Sequence, residues 1–298
     1  MMMDLPLVSI VTPSYNQAQF LEETIQSVLD QDYPGIEYLV IDGGSTDGSV
    51  EIIKKYTGHL AYWVSKPDEG QSDAINKGFE VSNGSILAWL NSDDLLEPSA
   101  VSIAVYFLEK HPDIGMVFGD RVYIDGKNNT IRSVSMPSFR PWHLRWGAYI
   151  PQETAFWRRE LFFQVGKLDT GLRNSMDTDL WFRINKVARI KHIPAFLGRY
   201  RQHAATITSQ AKLRDSSQAN QLRRYSKIVR DRYIGRFPTP WMRSWFLRIN
   251  KLRVPFERRT AWHQQETREI QLIQMHGYLD AIKEGRWGGS KRQVNHEV

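Results

Sequence analysis

The stretch Leu87–Pro98, LAWLNSDDLLEP, runs from a core strand straight into acid. Leu87, Ala88, Trp89 and Leu90 are apolar. Asn91, Ser92, Asp93 and Asp94 follow without a break, and apolar residues then resume. Two readings compete for the paired carboxylates. They cap a helix, since DLLEPSAVSIAVYFLEKH turns helical soon after. Or they stand at a strand tip to meet a hard divalent cation, because open α/β sheets bind ligands at the carboxyl ends of their strands. The flanking sequence decides between them.

On the N-terminal side the chain alternates. LVSIVTPSYN reads as a buried strand, and AQFLEETIQSVLDQDY follows with helical spacing of Phe20, Leu21, Thr24, Ile25, Val28 and Leu29. IEYLVIDGGSTDGS is a second strand entering a Gly/Ser/Asp loop. VEIIKKYT is a short helix, LAYWVSKPDEG a third strand, QSDAINKGFEVS a helix, and SILAWLNSDD the fourth strand. This order implies a mostly parallel, Rossmann-like sheet flanked by crossover helices. Parallel strands bring their carboxyl ends to one edge, so the loops at 13–16 and 42–49 and the Asp93–Asp94 tip converge on one crevice. A nucleotide fits there: Tyr15 to stack on a base, Asp42 to accept from a base or ribose donor. On the C-terminal side, GMVFGDRVYID adds strands, GAYIPQETAFWRRELFFQVG reads as a short strand and a helix, MDTDLWFRINKVA as a helix, and KHIPAFLGRYRQH closes the body.

Composition narrows the field. Of 298 residues, 41% are hydrophobic, enough for a sizeable core. No cysteine is present, which excludes disulfides, thiolate metal sites and cysteine nucleophiles, and fits a cytoplasmic setting. No signal peptide and no membrane-spanning run is visible. Residues 1–209 carry 20 Lys+Arg against 25 Asp+Glu; residues 210–298 carry 19 against 8. An acidic body thus precedes a basic tail, and an acidic body argues against nucleic acid as a partner. The glycines of GGSTDGS do not make a G-x-G-x-x-G fingerprint, and no P-loop is present.

The segments VSIVTPSYNQAQFLEETIQSVLDQ, YLVIDGGSTDGSVEII, DEGQSDAINKGF, LAWLNSDD and MDTDLWFRI, with YRQH after them, resemble family 2 glycosyltransferases of the GT-A fold. DEGQSDAINKG and NSDD are similar to members that build O-antigen and other surface polysaccharides. The resemblance spans residues 7–209 and implies roles. Pro13, Tyr15 and Asp42 lie around the nucleotide base and ribose. Gln71, Asp73 and Asn76 flank base and diphosphate. Asp93 holds ribose or sugar, and Asp94 ligates Mg²⁺ or Mn²⁺ on the donor diphosphate. His203 joins the metal or diphosphate, against a plain structural histidine. The family pattern Glu-Asp-x-x-Leu-Trp reads here Met176-Asp177-Thr178-Asp179-Leu180-Trp181, so Asp177 is the expected base and Asp179 the runner-up. Against this stands the reading of Asp177 as a helix cap and Asp179 as a solvated first-turn acid. Trp181 is either the floor of an acceptor pocket or a core aromatic. Gln152 and Glu153 are placed on the acceptor side. The implied reaction is an inverting, metal-dependent transfer from a nucleotide-diphosphate sugar, UDP by default, to a saccharide or lipid-linked acceptor.

The expected organisation is a GT-A catalytic domain over residues 1–209 and a basic, aromatic, helical extension over 210–298. In PWMRSWFLRINKLRVPF, Trp241, Trp245, Ile249 and Leu252 share one helical face, flanked by Arg243, Lys251 and Arg253. That pattern suits a helix lying on an anionic membrane, or one packed on the body or a dimer interface. A sugar-phosphate nucleotidyltransferase is an alternative, but TPSYNQAQF offers neither glycine nor a basic residue to cradle a triphosphate. A non-catalytic carbohydrate-binding protein, using the ten tryptophans, would not need the acidic series.

Overall fold

The computed structural model describes residues 5–146, 150–203, 217–234, 239, 241–242, 244–245, 248–249 and 261–283. Its first half follows the alternation read above: β1 (Val8–Ser14), α1 (Ala18–Leu29), β2 (Ile36–Asp42), α2 (Ser49–Lys55), β3 (Tyr62–Ser65), α3 (Gln71–Val81) and β4 (Ile86–Trp89). These four strands pair in parallel, with Val8 opposite both Ile36 and Ile86. β1 is buried along its whole length, as an apolar strand covered on both faces must be.

Beyond β4 the sheet becomes mixed. β5 (Leu95–Leu96), α4 (Ala100–Lys110), β6 (Ile114–Ile124), β7 (Thr130–Val134), β8 (Phe156–Arg158), α5 (Arg159–Gln164), α6 (Met176–Val187) and β9 (Arg189–Arg201) complete the body. The order is β3-β2-β1-β4-β8-β6-β9-β5, with β7 beside β6. β8 lies antiparallel between β4 and β6, and β5 antiparallel on β9. Among the described residues, six of nine strands still run one way.

The helix-cap reading of Asp93–Asp94 fails here. Leu95–Leu96 form a strand first, and α4 starts only after Ser99, which has φ of 62° and makes no side-chain cap.

The pleat sorts the core into two layers. Ile10, Tyr38, Val40 and Ala88 face α1, α2 and α4. Val11, Leu39, Ile41, Leu87 and Trp89 face α3, α5 and α6. Two further helices, α7 (Ser217–Tyr233) and α8 (Ala261–Lys283), belong to the C-terminal extension. α8 buries Ile270, Ile273 and Tyr278 in the first layer, and α7 buries Val229 in the second. The extension therefore holds both faces of the sheet. The expected boundary at 209 falls outside the described residues, as do Leu252, Arg243, Lys251 and Arg253. Trp241 and Trp245 are helical and are 69% and 60% exposed.

Candidate active site

The carboxyl ends of β1, β2 and β4 open on a cavity of about 1070 Å³. Pro13, Ser14 and Tyr15 line it from β1, Gly43 and Gly44 from β2, and Asn91 to Asp94 from β4. The opposite wall is Arg121, Gln152, Glu153 and residues 173–178. The parallel arrangement thus converges the loops that the sequence placed together.

At the β4 tip, Asp94 is buried. Its carboxylate accepts from the Arg201 N–H at 2.9 Å and from Asn91 Nδ2 at 3.2 Å, and its carbonyl accepts from Thr24 Oγ1 at 2.8 Å. Gln71 Nε2 donates to Asn91 Oδ1 at 2.7 Å, so the start of α3 is linked through Asn91 to Asp94. Burial pushes the Asp94 carboxyl well above the usual carboxylate range, and the charges of Asp93 and Glu153 push the same way. Asp93 pairs with His203, Oδ2 to Nε2 at 3.1 Å, and the imidazole packs 4.5 Å from the Phe20 ring. His203 thus meets Asp93 rather than Asp94. The buried Arg201 guanidinium holds this corner from behind, donating to the Asp93 carbonyl at 2.7 Å and to Glu23 at 2.7 Å.

Across the cavity, Asp177 stands in the first turn of α6, half-buried. Its Oδ1 accepts from the Thr178 N–H at 2.7 Å and from the Thr178 hydroxyl at 3.3 Å. Oδ2 accepts from none of the described residues. Burial raises this carboxyl, opposed by the Thr178 hydrogen bonds and the charge of Arg121. Ser175 holds the cap position of α6 without a side-chain cap bond, and Asp177 in the first turn takes the free Thr178 N–H instead, so part of the capping reading holds. Asp179 is not a solvated acid. It is buried outside this cavity and accepts from Arg183 Nε at 2.8 Å, Tyr233 Oη at 2.9 Å and Arg232 Nη1 at 3.1 Å.

Glu153 forms a bidentate pair with Arg121 on the cavity wall. Gly198 permits this: a Cβ there would lie 2.6 Å from Glu153 Cγ and 2.9 Å from its carbonyl oxygen. Gln152 donates to the Trp89 carbonyl at 2.6 Å, and its own Oε1 is buried without a partner among the described residues. The same holds for Ser14 Oγ on this cavity.

Several expected contacts point elsewhere. Asp42 is fully buried, and Gly44 N, Ser45 N, Ser45 Oγ and Ser65 Oγ all donate to it at 2.5–3.1 Å. It shapes the loop and does not line the cavity. Asp73 pairs with Lys77 at 2.6 Å, one turn along α3. Asn76 makes two hydrogen bonds of 3.0 Å to the Leu168 backbone. On this helix only Gln71 and Ala74 reach the cavity, with Asp68 to Gly70 just before it. Trp181 is a core aromatic: it stacks on Trp89 at 5.6 Å and 12°, and Trp89 lines the cavity.

The family model for glycosyl transferase family 2 matches residues 9–181. The chain belongs to this family. It is 30% identical to an uncharacterized glycosyltransferase of Rickettsia prowazekii, over 75% of this chain and 70% of that one. A Rickettsia felis relative is 29% identical over 67% of this chain and 35% of its own length. Chondroitin synthase of Pasteurella multocida is 27% identical over 63% of this chain and 20% of its own. The chain therefore spans about a third of the first of these longer relatives and a fifth of the second. A structure of S. aureus TarS 1-349 in complex with UDP-GlcNAc matches with a TM-score of 0.58 at 16% identity, over 78% of this chain and 74% of that one. The mannosyltransferase PcManGT of Pyrobaculum calidifontis, in complex with GDP-Man and Mn²⁺, matches with a TM-score of 0.57 at 18% identity, over 96% and 88%. These likenesses establish the GT-A fold.

In this family 2 glycosyltransferase, no three His, Asp or Glu side chains among the described residues gather as a self-sufficient metal cage. A hard cation would find a single carboxylate ligand here, Asp94. Asp94 is a buried carboxylate crowded by like charge, which a cation would relieve. Sequence reading missed Arg121, Arg201 and Trp89. Arg201 sits inside the quoted YRQH segment. Arg121 carries no local signal, because its partner Glu153 is 32 residues away.

Proposed function

We propose that the protein transfers a sugar, with inversion, from a nucleotide-diphosphate sugar to a hydroxyl of a saccharide or lipid-linked acceptor during polysaccharide synthesis. One observation carries this reading: Asp94 and Asp177 line the same cavity, whereas Asp179 is tied up outside it. UDP is the expected nucleotide. Pro13 and Tyr15 hold the base at the cavity mouth, where Tyr15 is 62% exposed. Gln71 holds Asn91, which in turn orients Asp94.

Asp94 is the residue that would hold Mg²⁺ or Mn²⁺, with the Asp93–His203 pair beside it. When bound, the cation stabilises the negative charge of the departing diphosphate as a Lewis acid. Asp177 Oδ2 accepts the proton of the acceptor hydroxyl as that oxygen attacks the anomeric carbon, on the face opposite the leaving group. One carboxylate suffices for a single displacement. Gln152 and Glu153 face the acceptor, on a floor made by Trp89 and backed by Trp181.

The test is donor hydrolysis and transfer over a panel of UDP-, GDP- and dTDP-sugars, with and without Mn²⁺. Turnover of one nucleotide class, strengthened by Mn²⁺ and lost in Asp94→Asn, is expected. Equal turnover in a chelator, or none with any donor, would overturn the reading.

The tail supports a peripheral position on the cytoplasmic membrane face. Among the described residues no helix is long and apolar enough to cross a membrane. Two exposed tryptophans on a strongly basic extension suit an anionic surface, where each Lys or Arg contributes about 1 kcal/mol. Co-sedimentation of the full chain with anionic vesicles is expected to be salt-sensitive. It should weaken further in the double variant Trp241→Ala, Trp245→Ala. Equal binding by both proteins would remove this role.

A further inference from the structure

We propose that Asp179 is a positioning residue through which helix α7 of the C-terminal extension holds the first turn of α6, and that the extension is thereby part of the active site. The proposal rests on the assignment of Asp177 as the base. Asp177 is bracketed on α6 by two residues, and α7 grips both. Before it, Ser175 Oγ lies 3.1 Å from Ser226 Oγ. After it, Asp179 accepts from Arg232 Nη1 at 3.1 Å and Tyr233 Oη at 2.9 Å. Ser226 and Tyr233 are seven residues apart, two turns of one helical face, so α7 lies along the start of α6.

The contact is built in depth. Tyr233 stacks on Phe182 of α6 at 4.8 Å and 9°. Arg232 also bridges to Asp169 at 2.7 Å, and Arg183 joins Asp179 to the Val165 carbonyl at 2.7 Å. Asp179 is 1% exposed, and a carboxylate so buried is held only by donors that fix its place. Ser175 carries a φ of 62°, a backbone state that its surroundings must enforce. Without α7, Ser175 loses its Ser226 contact, and Asp179 loses two of its three donors. None of the described α7 side chains hydrogen-bonds Asp177 itself, so the effect is on where the base stands and how much water reaches it.

The experiment compares Tyr233→Phe, Ser226→Ala and Asp179→Asn with the core variant Ile273→Val, which loosens α8 on the other face. Readouts are kcat, donor KM, Mn²⁺-dependent UDP binding and the pH profile of kcat. Tyr233→Phe keeps the ring stack and removes only the hydrogen bond. It is expected to lower kcat about tenfold, since small misplacements of a catalytic group have effects of this order or larger. Donor KM and UDP binding should stay unchanged. The acid limb of the profile should move to lower pH, because water admitted to Asp177 relieves its burial while Arg121 still faces it. Ile273→Val should change neither kcat nor the limb. Full kcat and an unmoved limb in both Tyr233→Phe and Ser226→Ala would overturn the proposal, as would an equal loss in Ile273→Val. Should Asp179→Asn fail to fold, the other two variants decide. If Asp177→Asn retains full kcat, the base assignment itself has failed. If Asp177→Asn is inactive and Tyr233→Phe fully active, only the positioning role has.

Discussion

Asp177 and Asp179 stand two positions apart on one helix and have opposite surroundings. One carboxylate oxygen of Asp177 accepts from none of the described residues, whereas Asp179 takes three donors. Asp177→Asn should therefore cut kcat by about 10²–10⁴-fold and leave donor affinity near normal, because a base acts on the acceptor proton in the transition state. Steady-state kinetics with saturating donor checks it. The same residue predicts a stability effect. Its folded pKa is raised by burial, so between the unfolded and folded values the native state binds more protons than the unfolded one. Stability then falls as pH rises through that window and stays reduced at neutral pH. Asp177→Asn should melt higher than the parent at pH 7, with the difference vanishing once the medium is acidic enough to protonate the parent carboxyl; a pH series of thermal melts reads this. For Asp94, Asn is expected to abolish the Mn²⁺ dependence of UDP binding by calorimetry while the fold survives. Asp94 is conspicuous in the sequence because it stands at the tip of an apolar strand, whereas Asp177 is singled out only by resemblance to the family pattern Glu-Asp-x-x-Leu-Trp. Asp42, Asp73 and Asn76 look the same in one dimension. Their neighbours in space saturate them: three loop donors and Ser65 of β3 for Asp42, Lys77 for Asp73, the Leu168 backbone for Asn76.

At the level of elements, the strands and helices up to β4 follow from local pattern, since each apolar run ends at a turn signal. β8 was legible as a short strand but not in its place. Three residues, Phe156–Arg158, insert antiparallel between β4 and β6, and no periodicity specifies so distant a pairing. Leu95–Leu96 was read with the helix that follows. Its strand character comes from Arg199 and Gly198 across the ladder, about a hundred residues on. Helix α3 offers a sharp test of packing against propensity. Gly78→Ala would favour the isolated helix by about 1 kcal/mol. In the fold, that Cβ would lie 2.6 Å and 2.8 Å from the two methyls of Val11, in the middle of β1. Overpacking of this kind costs about 1–3 kcal/mol, so a net loss is expected and a lowered denaturation midpoint would show it.

For the whole molecule, the charge split near residue 209 suggested two parts, and the apolar contacts run across it. α7 and α8 cover opposite faces of the sheet through Val229 on one side and Ile270, Ile273 and Tyr278 on the other. Burial of such side chains contributes about 1.5–3 kcal/mol each, against a total stability of about 5–15 kcal/mol. A protein ended at residue 209 should therefore bind a hydrophobic dye and melt well below the full chain, or fail to stay in solution. The sequence could not reveal this, because α7 is amphipathic and highly basic and reads as a surface helix until Phe182 and Asp179 are brought beneath it. The two clasping helices also set a schedule. The last strand of the sheet ends at Arg201, but α8 is not complete until Lys283. At about 5–20 residues per second, a ribosome takes roughly 4–16 s over that interval. For that time the nascent sheet presents bare apolar patches on both sides, a target for holding chaperones and for neighbouring chains on the same message. Translation speed after Arg201 is thus expected to govern soluble yield while leaving the specific activity of the finished enzyme untouched.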